Sequence, residues 1–380
     1  MSKNSSIEII PVKTRRDMRA FLQFNLDLYK DCPYSVPELN MDVRFALNPK
    51  KNPAFEFCEA QPYLAKRDGK VVGRVVALIN HRANETWNRK EVRFSWIDFI
   101  EDYEVCKALL DTCVQWGKER GMNCIQGPLG FTDQDREGAL TWGFDQHMTM
   151  SMIYNYPYYI DYYKRYGLDT AAAWVESIVY IPETLPEKYV KASKIVSERY
   201  NVHLKKFTSH RKLMKIGTYD IFKIINESYS HLHGYSQLTD KQIKAVSEKY
   251  IPFVKLKYLP MIYNEKDELV GCFLMLPSIA KEMKKANGRL FPFGWWHLLK
   301  GLYFNHSDLM EFLLVAIKPE YQNKGINALM IVDMFENMTA DGFKRCETNA
   351  ELVDNPGVQA FTDSFKREIT RRREAFEKQF

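Results

Sequence analysis

The chain has 380 residues, enough for two domains of ordinary size, and 46% hydrophobic with 14% aromatic residues indicates a folded protein rather than a disordered one. The formal net charge of +6 comes from 54 basic and 48 acidic residues, a mild bias that favours an anionic cofactor and disfavours a nucleic-acid partner. The seven cysteines include no CxxC pair, which indicates free thiols, and we expect no metal site.

Two features of the sequence concern the cellular location of the protein, namely the start of the chain and its most apolar run. Residues 1–6 contain no apolar segment, so no signal peptide is predicted. The most apolar run, residues 290–299, is shorter than the roughly 20 residues of a membrane span and is broken by Pro292 and Gly294. It is compatible with contact to a membrane surface, but a buried helix or a lid over a pocket is favoured. The sequence predicts a cytoplasmic protein without a membrane span, and it does not indicate the oligomeric state.

The first half of the chain predicts a helix, a hairpin, a strand, a helix, a strand and a closing helix. These elements occupy residues 20–29, 63–66 paired with 71–79, 92–99, 105–120, 122–126 and 159–166. The turn at residues 67–70 has the composition of a hairpin turn, and Gly121 is a candidate C-cap.

The second half predicts the same order of elements. Its helices, hairpin, strand, helix and strand occupy residues 219–232, 239–250, 258–263 paired with 268–276, 311–317, 325–341 and 345–349, followed by a short helix after Asn355. Because the order occurs twice, we predict a tandem arrangement. The predicted domains are residues 1–182 and 202–380, joined by a linking helix in residues 183–201.

Residues 308–349 are the segment with the clearest chemistry. A strand at 311–317 is followed by a glycine-containing turn at 322–327 that leads directly into a helix. The first backbone N–H groups of such a helix have no intrahelical partner, and together with the positive end of the helix dipole they bind anions. Gly325 lets the backbone approach a bulky anion, and Lys324 adds a positive charge. The segment therefore predicts a pyrophosphate site.

The same segment resembles motif A of the GCN5-related N-acetyltransferases (GNAT), whose turn usually reads Gln/Arg-x-x-Gly-x-Gly/Ala. Gln322, Gly325 and Ala328 lie in or beside that pattern, whereas Asn327 stands where the second glycine is usual. Glu311 lies eleven residues before Gln322, where histone-type members carry their general-base glutamate. The alternative is an ordinary strand-to-helix turn whose glycine serves only geometry.

Two segments of the first half also carry the resemblance. Residues 163–168 are similar to the Tyr-x-x-x-Gly-Phe that closes the last helix in many of these enzymes. The run 127–132, with Asp135, Gly138 and residues 143–144, resembles a bacterial group of uncharacterised acetyltransferase-like proteins. The resemblance implies an α/β (α+β) fold with two tandem acyl-CoA N-acyltransferase domains, each a mixed, mostly antiparallel sheet flanked by helices.

The resemblance further implies acetyl-coenzyme A as co-substrate. Its pyrophosphate would bind the turn amides, and its pantetheine arm would pair with the strand edge. The implied cofactor-binding residues are Val315, Ala316, Ile317, Gln322, Asn323, Lys324, Gly325, Ile326, Asn327 and Asn355. The corresponding turn of the first half, residues 100–105, has no glycine and carries three carboxylates that would repel a pyrophosphate. We therefore expect the first domain to keep the fold without a coenzyme site.

The implied reaction is transfer of the acetyl group to a primary amine of a small molecule or peptide by direct attack. Glu311 would act as general base, directly or through water, with its pKa raised by partial burial, and a backbone N–H near Val315 would stabilise the oxyanion. A structural ion pair is the alternative role for Glu311. The family's usual proton donor is a tyrosine on the last helix, a few residues after an asparagine; Asn355 is present, but Phe361 and Phe365 follow it and no tyrosine does.

Two other functions stay open. A non-catalytic acyl-CoA-binding or interaction protein is favoured by Asn327, by the missing tyrosine and by the acidic turn of the first half. A tRNA-dependent aminoacyl transferase of the same tandem fold would need a basic, aromatic groove, which the balanced charge disfavours.

Three smaller groups complete the sequence predictions. Asp133 and Asp135 either hold the cation of an amine acceptor or belong to a plain surface loop. The basic run at residues 367–373 predicts a solvated strand or tail. His231 and His233 are two residues apart, which points them to different sides of a helix and disfavours a metal site.

Overall fold

The computed structural model describes residues 6–230, 235–304, 307–355 and 364–380. The chain forms two compact units, each built from separated segments. One comprises residues 1–175, 279–300 and 371–380, and the other comprises residues 176–278 and 301–370. The domains predicted from the sequence were continuous stretches, and that division stays a prediction.

Strands and helices alternate irregularly along the chain. The strands are β1 (Glu8–Pro11), β2 (Cys58–Arg67), β3 (Lys70–Asn80), β4 (Glu91–Phe99), β5 (Cys124–Gly127), β6 (Ala139–Trp142), β7 (Asp169–Tyr180), β8 (His203–Lys205), β9 (Met261–Tyr263), β10 (Leu269–Pro277), β11 (Leu309–Ile317), β12 (Arg345–Thr348), β13 (Glu351–Leu352) and β14 (Arg367–Gln379). The helices are α1 (Arg15–Leu28), α2 (Asn40–Ala46), α3 (His81–Thr86), α4 (Tyr103–Lys118), α5 (Tyr158–Tyr166), α6 (Glu187–Tyr200), α7 (His210–Ile216), α8 (Thr218–Tyr229), α9 (Asp240–Tyr250), α10 (Ala280–Ala286), α11 (Gly294–Phe304) and α12 (Asn327–Ala340).

The sheet of the first unit has the strand order β1-β2-β3-β4-β5-β14-β7. Strands β4 and β5 are parallel, whereas the pairs β1–β2, β2–β3, β3–β4 and β5–β14 are antiparallel. The β2–β3 hairpin turns at Asp68 and Gly69, whose positive φ angles of 50° and 76° suit a two-residue hairpin turn. Helix α1 packs on one face of this sheet, and helices α4 and α5 pack on the other.

The sheet of the second unit has the order β7-β12-β11-β10-β9-β8. Strands β11 and β12 are parallel, and the remaining neighbours in this order are antiparallel. Helices α6 and α12 pack on one face, and helices α8 and α9 pack on the other. The predicted architecture of mixed, mostly antiparallel sheets flanked by helices is confirmed.

Both units share a local irregularity beside their parallel strand pair. In the first unit the ladder joins residues 91–93 of β4 to residues 124–126 of β5. Beyond it β4 has an extra residue against β3, because Ser95 and Asp98 oppose Val76 and Arg74, and Trp96 there has a φ of +42°. In the second unit the ladder joins residues 309–312 to residues 345–348. There Leu313 is an extra residue, because Phe312 and Leu314 oppose consecutive residues of β10. Each bulge lies where its strand continues beyond its parallel neighbour.

The last strand, β14, corrects the prediction for the basic run. Arg371 and Arg373 are 1% and 0% exposed, whereas Arg372 between them is exposed. The Arg373 guanidinium donates to the carbonyls of Gly138 at 3.2 Å and Ile153 at 2.5 Å. The predicted solvated tail is therefore wrong for alternate residues of the strand. A run of charged residues predicts solvation when no partner is recognisable nearby in the sequence. Here the carbonyls that accept the hydrogen bonds lie more than 200 residues earlier in the chain.

The segment at residues 290–299 is not the buried helix that was one of its two favoured predictions; the other, a lid over a pocket, stays a prediction. Phe291, Phe293, Trp295 and Trp296 are exposed rather than buried, and α11 begins only at Gly294. Apolar composition predicts burial only where another element covers the side chains, and the sequence does not show whether one does. Among the described residues, no helix is both long and apolar enough to cross a membrane.

We expect Arg373→Ala to lower the free energy of unfolding by about 3 kcal/mol, because each buried carbonyl left without a donor costs about 1–3 kcal/mol. The measurement is urea unfolding followed by circular dichroism. Arg372→Ala is the matched control on the same strand, and we expect it to stay within about 0.5 kcal/mol of the wild type. Equal losses in the two variants would contradict a structural role for the buried guanidinium.

Candidate functional site

The turn between β11 and α12 has the geometry of an anion site. Helix α12 begins after Ile326, and no side chain caps its first turn. Asn323 and Gly325 have positive φ angles of 58° and 76°, so the chain turns sharply before the helix. Residues 322–325 are exposed. The positive end of the α12 dipole therefore lies beside backbone that solvent can reach.

The side chains around this turn leave room for a ligand. A Cβ atom at Gly325 would lie 3.7 Å from Val196 Cγ2, which is an ordinary van der Waals contact. Glycine is therefore favoured at this position by the positive φ angle and not by a lack of space. Lys324 Nζ lies 5.2 Å from the Tyr200 ring centroid and 5.4 Å from that of Tyr321. The lysine charge thus lies beside the turn on aromatic faces.

Beyond the bulge, alternate carbonyls of β11 accept hydrogen bonds from side chains. These bonds are Asn349 Nδ2 to Leu313 O at 3.2 Å, Tyr229 Oη to Val315 O at 2.8 Å and Ser228 Oγ to Ile317 O at 2.8 Å. Gln322 Nε2 also donates to Ile317 O, at 3.0 Å. Sequence reasoning missed Ser228 and Tyr229, because neither lies in a recognisable motif.

Glu311 lies in β11 before the bulge and is completely buried. Ser278 donates a hydrogen bond of 2.6 Å to its Oε1, and Glu347 is its partner residue in the parallel ladder. Phe312 packs in the core beneath α12, so strand alternation directs Glu311 to the opposite face of the sheet. The burial is deeper than the partial burial expected of a general base. Ser278 was not predicted, since only the register of β10 against β11 brings it close.

Further buried carboxylates surround this part of the strand. Glu347 and Glu351 are 5% and 6% exposed, and Arg367 pairs with Glu351 at 2.6 Å while donating to Ser177 Oγ at 2.9 Å. Burial, followed by the charges of Glu347, Glu351 and Glu311, raises the pKa of the nearby Cys346 thiol. The thiol therefore stays protonated at neutral pH and is no nucleophile.

The predicted residues after β13 are described only in part. Asn355 ends a turn in which its N–H donates to Leu352 O at 3.0 Å. The helix predicted after it, with Phe361, lies outside the described residues, as do His231 and His233. Phe365 is described and stacks on Tyr189 with 5.3 Å between ring centroids.

An apolar pocket lies in the second unit between α12 and the sheet. Helix α12 contributes Ile331, Met334, Phe335 and Met338, and strands β10 and β11 contribute Phe273, Met275 and Phe312. Residues 179–182, Cys346 and Phe365 complete the lining, and none of the described residues in it has a charged side chain. Such a surface suits a hydrocarbon chain rather than a polar group.

The helix start of the first unit is chemically different. The Asp102 side chain accepts from the N–H of Glu104 at 2.9 Å and pairs with Arg67 at 2.7 Å. Although partial burial opposes it, hydrogen bonds from Arg67 and from the backbone hold the pKa of Asp102 below its ordinary value. A carboxylate already occupies the donors that a pyrophosphate would use.

The first unit instead contains a polar pocket beside its own bulge. Asp98 lies in its wall and accepts hydrogen bonds from Arg74 at 2.7 Å, Asn25 at 3.0 Å and Tyr29 at 3.0 Å. Burial and the Asp98 charge raise the pKa of Tyr29, so its hydroxyl keeps its proton. The arrangement presents fixed donors and acceptors suited to a small polar group.

The predicted acidic loop contains carboxyls with raised pKa values. Asp135 accepts from the N–H of Thr132 at 3.0 Å, and Gln134 donates to Asp133 Oδ2 at 3.0 Å. Burial raises the pKa of Asp133 to about 7, and it also raises the pKa of Asp135 and Glu137. Within the described chain, no group of three or more His, Cys, Asp or Glu residues could hold a metal ion.

We expect Asp133→Asn to change the pH dependence of stability. An acid whose pKa rises on folding stabilises the folded state below its unfolded pKa, and this contribution is lost as pH rises through about 7. The variant should match the wild type near about pH 4 and exceed it by about 1–4 kcal/mol near about pH 8. The measurement is urea unfolding at both pH values. The exposed Asp145 supplies the control, Asp145→Asn, and an Asp133 variant no more stable than the wild type at high pH would contradict the assignment.

Comparisons with known proteins agree with this architecture. No protein-family model matches the chain. Protein YghO of Escherichia coli strain K12 is 27% identical over 383 residues, covering 96% of this chain and 93% of that protein. A bacterial ceramide synthase of Caulobacter vibrioides is 26% identical over 327 residues, covering 84% of this chain and 83% of that protein.

Among solved structures, a tandem GNAT protein from the clavulanic acid biosynthesis pathway superposes with a TM-score of 0.54. The match covers 98% of both chains at 12% sequence identity, so it shows the fold alone. The resemblance seen in the sequence is thereby confirmed at the level of the fold. The chain has the tandem α/β fold of the GCN5-related N-acetyltransferases.

Proposed function

We propose that the protein is an N-acyltransferase that moves an acyl group from acyl-CoA to a primary amine of a small molecule or peptide. The observation that carries the proposal is the exposed start of α12, which no side chain caps, with Gly325 in a left-handed conformation in the connection from the bulged strand β11. The turn before α12 can bind a pyrophosphate, and β11 can bind the pantetheine arm of the coenzyme, which ends in the thioester.

Coenzyme binding would use the turn and the edge of β11 together. The pyrophosphate would bind amides in residues 323–327, since the N–H of Gln322 already donates to Pro319 O at 3.2 Å, and Lys324 would add a positive charge. The pantetheine would pair along residues 315–317, where the carbonyls of Val315 and Ile317 already accept hydroxyl hydrogen bonds. A carbonyl has two lone pairs, so Val315 can accept a second donor, whereas Ile317 already accepts from Ser228 and Gln322. We therefore propose Val315 as the main acceptor for pantetheine.

Acyl transfer would then use three groups near the bulge. Glu311 would take the proton of the amine, directly or through water, with Ser278 orienting its carboxylate. A backbone N–H near Val315 would stabilise the oxyanion. The leaving thiolate needs a proton, and Tyr229, whose hydroxyl lies 2.8 Å from Val315 O, is our candidate donor in place of the tyrosine missing from the last helix.

We further propose an acyl group longer than acetyl. The lining of the apolar pocket beneath α12 includes Phe312, next to the bulge, and Met338 near the far end of the helix. Each methylene removed from water contributes about 0.8 kcal/mol. The similarity to a bacterial ceramide synthase supports the idea, since a ceramide is a long-chain amino alcohol acylated on nitrogen. The seven cysteines, all free and buried, fit a reducing compartment, and we infer a cytoplasmic location.

A non-catalytic acyl-CoA-binding protein is the second candidate. Asn327 stands in place of the usual glycine, and the hydroxyls of Ser228 and Tyr229 are bonded to the strand carbonyls that a substrate would approach. Such a protein would bind the coenzyme without turnover, so binding and activity have to be measured separately.

We expect millimolar acetyl-CoA or octanoyl-CoA to raise the melting temperature, and Gly325→Glu to abolish the rise. A ligand that binds only the folded state adds about 2.7 kcal/mol at a hundredfold excess over Kd. Gly342→Glu is the matched control, because Gly342 also has a positive φ of 78° but lies beyond the far end of α12. A shift that survives in the Gly325 variant would place the coenzyme elsewhere, and no shift with either thioester would refute coenzyme binding.

We expect Glu311→Gln to lower kcat by a factor of about 10² to 10⁴ while acyl-CoA binding is retained, because proton transfer from the amine is lost. The assay is CoA release with a panel of primary amines that includes long-chain amino alcohols. Activity of the variant should recover partly at high pH, where solvent deprotonates the amine. The exposed Glu320 supplies the control Glu320→Gln. Lost stability with unchanged kcat would instead assign Glu311 a structural role.

A further inference from the structure

We infer that residues 289–300, which we call the aromatic patch, dock this protein on a lipid bilayer that contains anionic headgroups. The patch lies in the first unit and includes the start of α11. The inference goes beyond the acyltransferase proposal and would hold for any reaction that the protein performs.

The aromatic side chains of the patch are exposed to solvent. Phe291 and Phe293 are 78% and 71% exposed, and Trp295 and Trp296 are 43% and 52% exposed. Four large aromatic side chains therefore face solvent within six consecutive residues. Single exposed apolar residues are ordinary, but a cluster of this size on a soluble domain marks a surface that another phase or partner covers.

The backbone beneath the patch is held in place. Gly288 O accepts from the N–H of Asn40 at 2.7 Å, and Arg289 Nη2 donates to Gln23 Oε1 at 2.9 Å. The Trp295 N–H on the backbone donates to Leu290 O at 2.8 Å. The aromatic side chains thus project from a fixed base, so little backbone entropy is lost when they are covered.

The chemistry of the side chains favours a bilayer interface over a protein partner. Tryptophan and phenylalanine are the residues with which interfacial segments enter the headgroup region. The Trp295 indole N–H already donates to Pro292 O at 2.9 Å, so moving this ring into lipid leaves no donor without a partner.

The charges beside the patch indicate which lipid it meets. Residues 279–304 contain five lysines and arginines against one glutamate. Arg289 and Lys300, at the two ends of the patch, are exposed, as are Lys281 and Lys285 in α10, the helix that precedes it in the sequence. Basic side chains at the border of an apolar surface are attracted to anionic headgroups, and the attraction weakens as salt screens it.

The experiment is flotation of the full chain with vesicles of phosphatidylcholine alone and of phosphatidylcholine mixed with phosphatidylglycerol. We expect flotation with the anionic vesicles, weaker flotation with the neutral ones and a decrease with rising salt.

The double variant Phe291→Ser with Phe293→Ser should reduce partitioning by at least about tenfold, since burying one phenylalanine fully contributes about 1.5–3 kcal/mol and 1.4 kcal/mol is tenfold. Lys281→Gln with Lys285→Gln should remove the salt dependence in part.

Matched controls are available elsewhere on the surface. Trp142 and Phe253 are 52% and 51% exposed outside the patch, so Trp142→Ala and Phe253→Ser should float like the wild type. The melting temperature of each variant checks that it is folded. Absent flotation with both vesicle types, or equal flotation of the patch variant and the wild type, would overturn the inference. A concentration-dependent dimer that the patch variant abolishes, without vesicle binding, would assign the surface to self-association instead.

Discussion

The separation of β11 from β12 is the constraint on which the candidate site depends. Their ladder ends at the Phe312–Thr348 pair, and the extra residue Leu313 turns the strand away at that point. A parallel neighbour would have used the carbonyls of residues 313–317 in a ladder. Side chains from α8 and Asn349, which follows β12, donate to these carbonyls instead, so the edge is satisfied without a neighbouring strand.

Buried charge is the second determinant of the second unit. Glu311, Glu347 and Glu351 lie close to Cys346, and Arg367 at the start of β14 pairs with Glu351. Charged groups this deep are tolerated only with partners in fixed geometry, so the register of β11, β12 and β14 matters more here than in an apolar core. The orientation of Glu311 is held by Ser278, which the register of β10 against β11 places beside it. A catalytic and a structural role for this carboxylate are therefore compatible in physical terms, and only kinetics separates them.

Local sequence patterns predicted the helices, strands and turns because each pattern lies within a short run of consecutive residues. The β2–β3 hairpin follows from Asp68 and Gly69, and α12 follows from its apolar spacing after Gly325. The burial of Arg373, the bond from Ser278 to Glu311 and the position of Tyr229 depend on residues distant in the chain. Periodicity and composition carry no information about such pairings. For that reason the turn of the site was predictable, whereas the groups that surround Glu311 were not.

The aromatic patch is a second feature that composition alone did not predict correctly. Hydrophobic residues predict a covered surface, and within the described chain Phe291 and Phe293 remain uncovered. If lipid covers them, the protein meets the bilayer without crossing it, through side chains that keep their backbone bonds inside the fold. An enzyme that acylates long-chain amines would gain from this arrangement, because such acceptors partition into membranes and are scarce in water. The apolar pocket and the aromatic patch would then serve one substrate chemistry, although each has its own independent test.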